Sequence, residues 1–143
     1  MYFNKKFVLG TAQFGFDYGV LNQTGKMSLN DTNLILNYMK DNKIKFIDTA
    51  SSYNDSEEIL GNYGMQEFKV ITKFLFYSAD YGDLVSWINN EISKSKKKLK
   101  VDKFYAILIH DFDNLSKDKI IAIFDALNKI KNKFFKVGIS TYK

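Results

Sequence analysis

The chain has 143 residues, 45% of them hydrophobic, which suffices for one domain around one buried core. It contains no cysteine, so a disulfide framework and a thiolate metal site are both excluded, and no metal site is expected. Much of the net charge of +5 sits in Lys94, Lys96, Lys97, Lys98, Lys100 and Lys103. No aromatic residues interleave with these lysines, so they read as a solvated helix end and not as a nucleic-acid surface.

Met1 to Gly10 carries two lysines and an apolar run too short for a signal peptide. No other apolar run approaches the ~20 residues that cross a bilayer. A soluble, cytoplasmic protein without a membrane partner is therefore expected. Phe7-Val8-Leu9-Gly10-Thr11-Ala12-Gln13-Phe14-Gly15 begins as a short strand and ends in small residues. Gly10 and Gly15 permit close approach by a ligand or a neighbouring strand. A loop follows, with turn signals at Asp17-Tyr18-Gly19 and Gln23-Thr24-Gly25.

Ser28-Leu29-Asn30-Asp31 resembles a capping box, and Leu34, Ile35, Tyr38 and Met39 then fall at helical spacing through Lys40. Phe46 to Ala50 reads as a buried strand ending on a carboxylate, Asp48, followed by a polar loop carrying Tyr53. The next helix opens at Asp55 or Ser56, with Glu57 and Glu58 in its first turn, where the helix dipole favours negative charge. Gly61 and Gly64 mark its exit. Phe68 to Lys73 is a third strand, and Asp83 to Lys100 an amphipathic helix with Leu84, Val85, Ile88, Ile92 and Leu99 on one face.

Lys103 to His110 is nearly continuous in apolar residues, as in a strand buried on both faces. Ser116 caps a helix running to about Lys131, with Ile120, Ile121, Ile123, Phe124 and Leu127 inside, and Phe135 to Ser140 begins a fifth strand. Strict strand-helix alternation predicts an α/β fold with a parallel sheet, either doubly wound or part of a barrel. No Gly-x-Gly-x-x-Gly follows the first strand and no phosphate loop is present, which argues against the dinucleotide fold.

Polar groups end the apolar runs. Asp48 follows Phe46-Ile47, Lys73 follows Val70-Ile71-Thr72, His110 follows Ile107-Leu108-Ile109, and Ser140-Thr141 follows Val137-Gly138-Ile139. Taken singly, Asp48 could cap a turn, Tyr53 cover a loop, Lys73 escape to solvent, and His110 be a satisfied structural histidine. Taken together, they stand at successive strand ends, which in a barrel of parallel strands meet on the face where chemistry is found.

The Asp48-Thr49-Ala50-Ser51-Ser52-Tyr53 stretch resembles the Asp-Thr-Ala-x-x-Tyr signature of the aldo-keto reductases. Asp48, Tyr53, Lys73 and His110 match that family's tetrad in type, order and approximate spacing. Gly10-Thr11-Ala12 resembles its Gly-Thr-x at the end of the first barrel strand, and Lys136-Val137-Gly138-Ile139-Ser140-Thr141-Tyr142 its Gly-Val-Ser-Asn-Phe segment. The opening Leu9 to Gly19 is also similar to members encoded near surface-polysaccharide genes.

The resemblance implies a (β/α)8 barrel of which residues 1–143 form a partial domain, strands 1 to 5, whereas such barrels typically run to about 250 residues. It implies NADP(H), or NAD(H), as cofactor and reduction of an aldehyde or ketone, sugar-like if the opening is a guide. Tyr53 would be the general acid, its pKa depressed by Lys73, which Asp48 would hold; His110 would orient the carbonyl oxygen. Gly10, Thr11, Ala12, Asp48, Ser140 and Thr141 would lie at the cofactor. The residues that grip the cofactor's adenosine diphosphate belong to later strands in the family. Two other readings stand beside this one: a non-catalytic cofactor-binding or scaffolding module, and an inactive product of an interrupted gene. An open sheet of this kind would leave its first and fifth strands as edges, a route to self-association.

Overall fold

The computed structural model describes residues 7–76 and 82–141. Five strands form one parallel sheet in the order β1 (Val8–Gly10), β2 (Phe46–Asp48), β3 (Lys69–Leu75), β4 (Phe104–His110) and β5 (Phe134–Ile139). Between them run the helices α1 (Ala12–Gly15), α2 (Leu29–Asp41), α3 (Ser56–Tyr63), α4 (Leu84–Leu99) and α5 (Lys117–Lys129). Sequential order of parallel neighbours, each joined by a helical crossover, is the arrangement of the first half of a (β/α)8 barrel.

The register runs Leu9 to Ile47, Ile47 to Val70, Thr72 to Ile107 and Ile107 to Val137. It places Ile47, Val70, Phe74, Ile107 and Ile109 in one buried cluster with Leu36, Leu60, Ile88, Ile92 and Leu127 from the helices. Helix starts follow local chemistry. Ser28 Oγ accepts from Asp31 N at 3.1 Å, Asp83 accepts from Val85 N and Ser86 N, and Ser116 Oγ accepts from Lys119 N. Each such cap contributes about 1 kcal/mol.

The structure departs from the sequence expectations at several points. Ala12–Gly15, the small-residue end of the first strand segment, is a helical turn, because Phe14 is buried and the turn packs its backbone onto the segment after β2. On α2 the buried stripe is Thr32, Leu36 and Met39, whereas Leu34 and Tyr38 are exposed; both stripes satisfy a 3.6-residue period, and tertiary packing selects between them. Ile121 is likewise exposed on α5, where Ala126 takes an inner place. Gly61 is not an exit but lies within α3, where a Cβ would stand 1.9 Å from the Lys98 carbonyl oxygen; it lets α3 and α4 approach closely. Gly64, at φ +105°, does end the helix. Strand β3 continues past Lys73 to Leu75. Tyr142 lies outside the described residues.

Candidate active site

Beyond Asp48 the chain stays beside β3 before turning into α3. Thr49 N donates to Ile71 O and Ser51 N to Lys73 O, at 2.9 and 3.0 Å, and Ser51 Oγ also reaches Lys73 O at 3.1 Å. The turn then closes through Tyr53 N to Ala50 O and Ser56 N to Tyr53 O, with Asn54 in the left-handed region at φ 45°. Asparagine tolerates that region better than most L-residues, and the turn carries the Tyr53 ring back over the strand ends.

The structure brings Asp48, Tyr53, Lys73 and His110 together. Lys73 is buried, and its Nζ donates to Asp48 Oδ2 at 2.7 Å, to Thr49 O at 3.0 Å and to the Tyr53 hydroxyl at 3.4 Å. The Tyr53 and His110 rings meet edge to face with centroids 6.0 Å apart, and Ser52 Oγ lies 3.3 Å from His110 Nδ1. Phe16 covers another side of Tyr53 at 5.9 Å.

Electrostatics at the phenol run against the sequence expectation. The Tyr53 pKa is pushed up to about 12, first by burial, then by the negative charge of Asp48 and by Tyr18. Lys73, bonded to Asp48 at 2.7 Å and to the Thr49 carbonyl, does not offset that rise. His110 is lowered below its ordinary 6.5 by burial and by Lys73, against the opposing pull of Asp111 and Asp48, so it is neutral at pH 7.

The remaining candidates divide into open and buried positions. A Cβ on Gly10 would have no atom within 4 Å, the Asp48 side chain is 28% exposed, and Ser140 is half-buried. Thr11 and Ala12 are buried; Thr11 Oγ1 donates to Asp48 O at 3.1 Å and accepts from Ser56 Oγ at 3.0 Å, so its hydroxyl holds β1 to β2. Thr141 donates to Asp113 at 2.7 Å.

A cavity of about 450 Å³ adjoins His110, lined also by Leu75, Phe76, Asp111, Leu115 and Lys119. A larger cleft of about 710 Å³ lies between α2 and α3, and none of the four clustered residues lines it. The lysines at the end of α4 point to local partners: Lys94 pairs with Glu91 at 2.7 Å, Lys100 reaches Asn62 at 3.0 Å, and Lys96 bonds the Asp102 carbonyl. Among the described residues no group of His, Asp or Glu is placed to hold a metal ion, and no helix is long and apolar enough to cross a membrane.

Sequence reasoning missed two features of this region. Glu57 and Ser56 are buried and hydrogen-bonded into the layer beneath the site, whereas an acid in a first helical turn reads as a solvent-facing partner of the dipole. The signal lay in Thr72, a polar residue amid an apolar strand that required a buried acceptor.

The model of the Aldo/keto reductase family matches residues 6–143. No curated protein matches the chain. Among solved structures, it resembles a Pseudomonas aeruginosa protein assigned as an aldo-keto reductase, with 27% identity and a TM-score of 0.70 over 93% of this chain and 54% of that one. It also resembles the holo form of an aldo-keto reductase from Bacillus halodurans, with 21% identity and a TM-score of 0.64, covering 94% of this chain and 45% of the other. A third similar structure is an aldo-keto reductase from Klebsiella pneumoniae in complex with NADPH, at 19% identity and a TM-score of 0.71, covering 95% and 45%. The last two likenesses are of fold, and the chain spans about half the length of each of these structures.

Proposed function

The chain belongs to the aldo-keto reductase family, and from that premise we propose that its strand ends carry the proton-donating half of a nicotinamide-dependent carbonyl reduction. The observation that carries this reading is one lysine reaching both a carboxylate and a phenol, Asp48 at 2.7 Å and Tyr53 at 3.4 Å, with the His110 ring beside the phenol.

NADP(H) is the cofactor we assign, with NAD(H) as the alternative; when bound, its reduced nicotinamide supplies the hydride. The residues present suit the nicotinamide end of such a group: open space at Gly10, the exposed edge of Asp48, and Ser140 at the end of β5. Thr11 would act there only through the Asp48 carbonyl that it holds.

Tyr53 holds the proton. At a pKa of about 12 the phenol is fully protonated at pH 7, and it remains a stronger acid than the alcohol formed from the alkoxide, which is about as weak an acid as water. Proton delivery to a forming alkoxide is therefore downhill without a depressed pKa. Lys73 orients the phenol, Asp48 holds Lys73 in place, and neutral His110 presents its Nε2–H to a carbonyl oxygen when Ser52 Oγ donates to its Nδ1.

An aldehyde or ketone is the proposed substrate, a sugar-like one if the opening segment is a guide, in a protein we place in the cytoplasm. The outer edges of β1 and β5, which pair with no further strand among the described residues, support self-association.

The test is a titration of the chain with NADPH, followed by nicotinamide fluorescence, and an aldehyde-reduction assay of the parent and Tyr53→Phe. Saturable binding by both, with turnover lost only in the variant, is the expected result. Unchanged turnover in Tyr53→Phe removes Tyr53 as the acid. Binding without turnover in the parent favours a non-catalytic cofactor-binding module.

A further inference from the structure

Glu57 is the one buried carboxylate among the described residues, 1% exposed. It forms no ion pair with any of them. Its oxygens are instead satisfied by two hydroxyls from different elements: Oε1 accepts from Thr72 Oγ1 of β3 at 2.8 Å, and Oε2 from Ser95 Oγ of α4 at 2.9 Å. Ser56, just before it, donates to the Thr11 carbonyl and hydroxyl oxygens at 3.0 Å each, and lies 3.3 Å from Thr49 Oγ1. Two successive residues at the start of α3 therefore grip the ends of β1 and β2, the middle of β3, and α4.

A buried carboxylate without a cation costs free energy that an apolar residue of similar size would not. Here burial holds the Glu57 carboxyl above its usual range, against the two hydroxyls and the charge of Lys98. What the arrangement provides is geometry. Glu57 stands in the first turn of α3, just past the turn that carries Tyr53, and Thr72 immediately precedes Lys73.

We propose that Glu57 is a positioning residue whose hydrogen bond to Thr72 sets the Tyr53 phenol against the Lys73 ammonium, while its bond to Ser95 only anchors α4. The catalytic meaning of this rests on Tyr53 being the proton donor. The test below reads geometry and not turnover, so the two ideas fail separately.

His110 is the only histidine in the chain, which makes its ring a clean spectroscopic probe. Its ring stands edge to face with Tyr53 at 6.0 Å, and Lys73 acts on its titration, so displacement of either residue moves its signals. The ring 1H–15N correlations and pH titration of His110 are compared in Thr72→Val, Ser95→Ala, Glu57→Gln and Glu57→Met, alongside urea unfolding. Thr72→Val and Glu57→Met are expected to displace the correlations and shift the titration midpoint. Ser95→Ala should lower the urea midpoint and leave His110 as in the parent. Glu57→Gln retains an acceptor for Thr72 and should restore the parent spectrum. Parent-like His110 signals in folded Thr72→Val overturn the proposal, as do equal shifts in Thr72→Val and Ser95→Ala. Failure of both Thr72→Val and Glu57→Met to fold assigns the cluster a purely structural role and overturns it too.

Discussion

Gly15 and Tyr53 meet backbone to backbone: a Cβ on Gly15 would stand 1.9 Å from the Tyr53 carbonyl oxygen and 3.1 Å from Ser56 N. Neither group can rotate away as a side chain would. Gly15→Ala must therefore push α1 off the turn that carries the phenol. The expected cost is about 1–3 kcal/mol of stability, read as a lower urea midpoint, together with displaced His110 ring signals. A variant with the parent's midpoint and spectrum would falsify the close approach.

The Asp48–Lys73 pair should be asymmetric. The Lys73 side chain is 6% exposed and that of Asp48 28%. Asp48→Asn leaves a buried ammonium without its counter-charge, held only by neutral acceptors such as the Thr49 carbonyl and the Tyr53 hydroxyl, at a cost on the order of 3 kcal/mol. Lys73→Met leaves a carboxylate that water can reach, at about 1 kcal/mol. Urea unfolding of the two variants measures the order, and Lys73→Met being the more damaging would contradict the burial assigned to each partner.

Much of this site was legible because apolar runs stop on polar, titratable groups. Asp48 and His110 close β2 and β4, and strand-helix alternation alone placed their ends on one face. The polar turn carrying Tyr53 was equally visible. What escaped depends on segments far apart in the chain. Whether Leu34 or Leu36 faces inward is settled by the sheet, since both fit one helical period. Gly61 reads as a helix end until the Lys98 carbonyl is seen against it. The upward shift of Tyr53 follows first from burial of the phenol and then from the charge of Asp48, which residue types in order do not reveal.

The acid side of the stability curve should carry two opposed contributions. His110 has its pKa lowered from 6.5, so the folded chain binds fewer protons than the unfolded one just below that value. Its contribution is full above pH 6.5 and is lost as pH falls through the lowered value. Glu57 is raised from 4.5, so its contribution is full below pH 4.5 and is lost as pH rises through the raised value. Urea midpoints across this range should fall more steeply towards acid in Glu57→Gln and more shallowly in His110→Gln. Identical slopes in both variants and the parent would show that neither group is perturbed.

The sheet edges give a concentration-dependent prediction. Phe135 of β5 is 68% exposed, with Val8 of β1 and Ile139 of β5 each at 42%. Unpaired edges with apolar side chains template further strands. Solution mass by light scattering should rise with concentration, and Ile139→Lys should hold the chain nearer monomer mass at the same concentrations. A mass that stays monomeric in the parent throughout would remove self-association through these edges.

Tyr53 itself offers the sharpest electrostatic test. With its pKa raised from 10 to about 12, the folded chain keeps a proton that the unfolded chain has lost within that window. The contribution to stability is full below pH 10 and is lost as pH rises towards 12. Carbon-13 NMR of ring-labelled tyrosine, with Tyr53→Phe to assign the signal, reads the ionisation directly. Asp48→Asn removes a charge that raises the phenol and frees the Lys73 cation, so both changes act in one direction and the midpoint should move down. A parent midpoint at or below 10 would mean that Lys73 already dominates and that burial does not set the acidity. A midpoint unmoved by Asp48→Asn would remove Asp48 as a cause and leave burial and Tyr18.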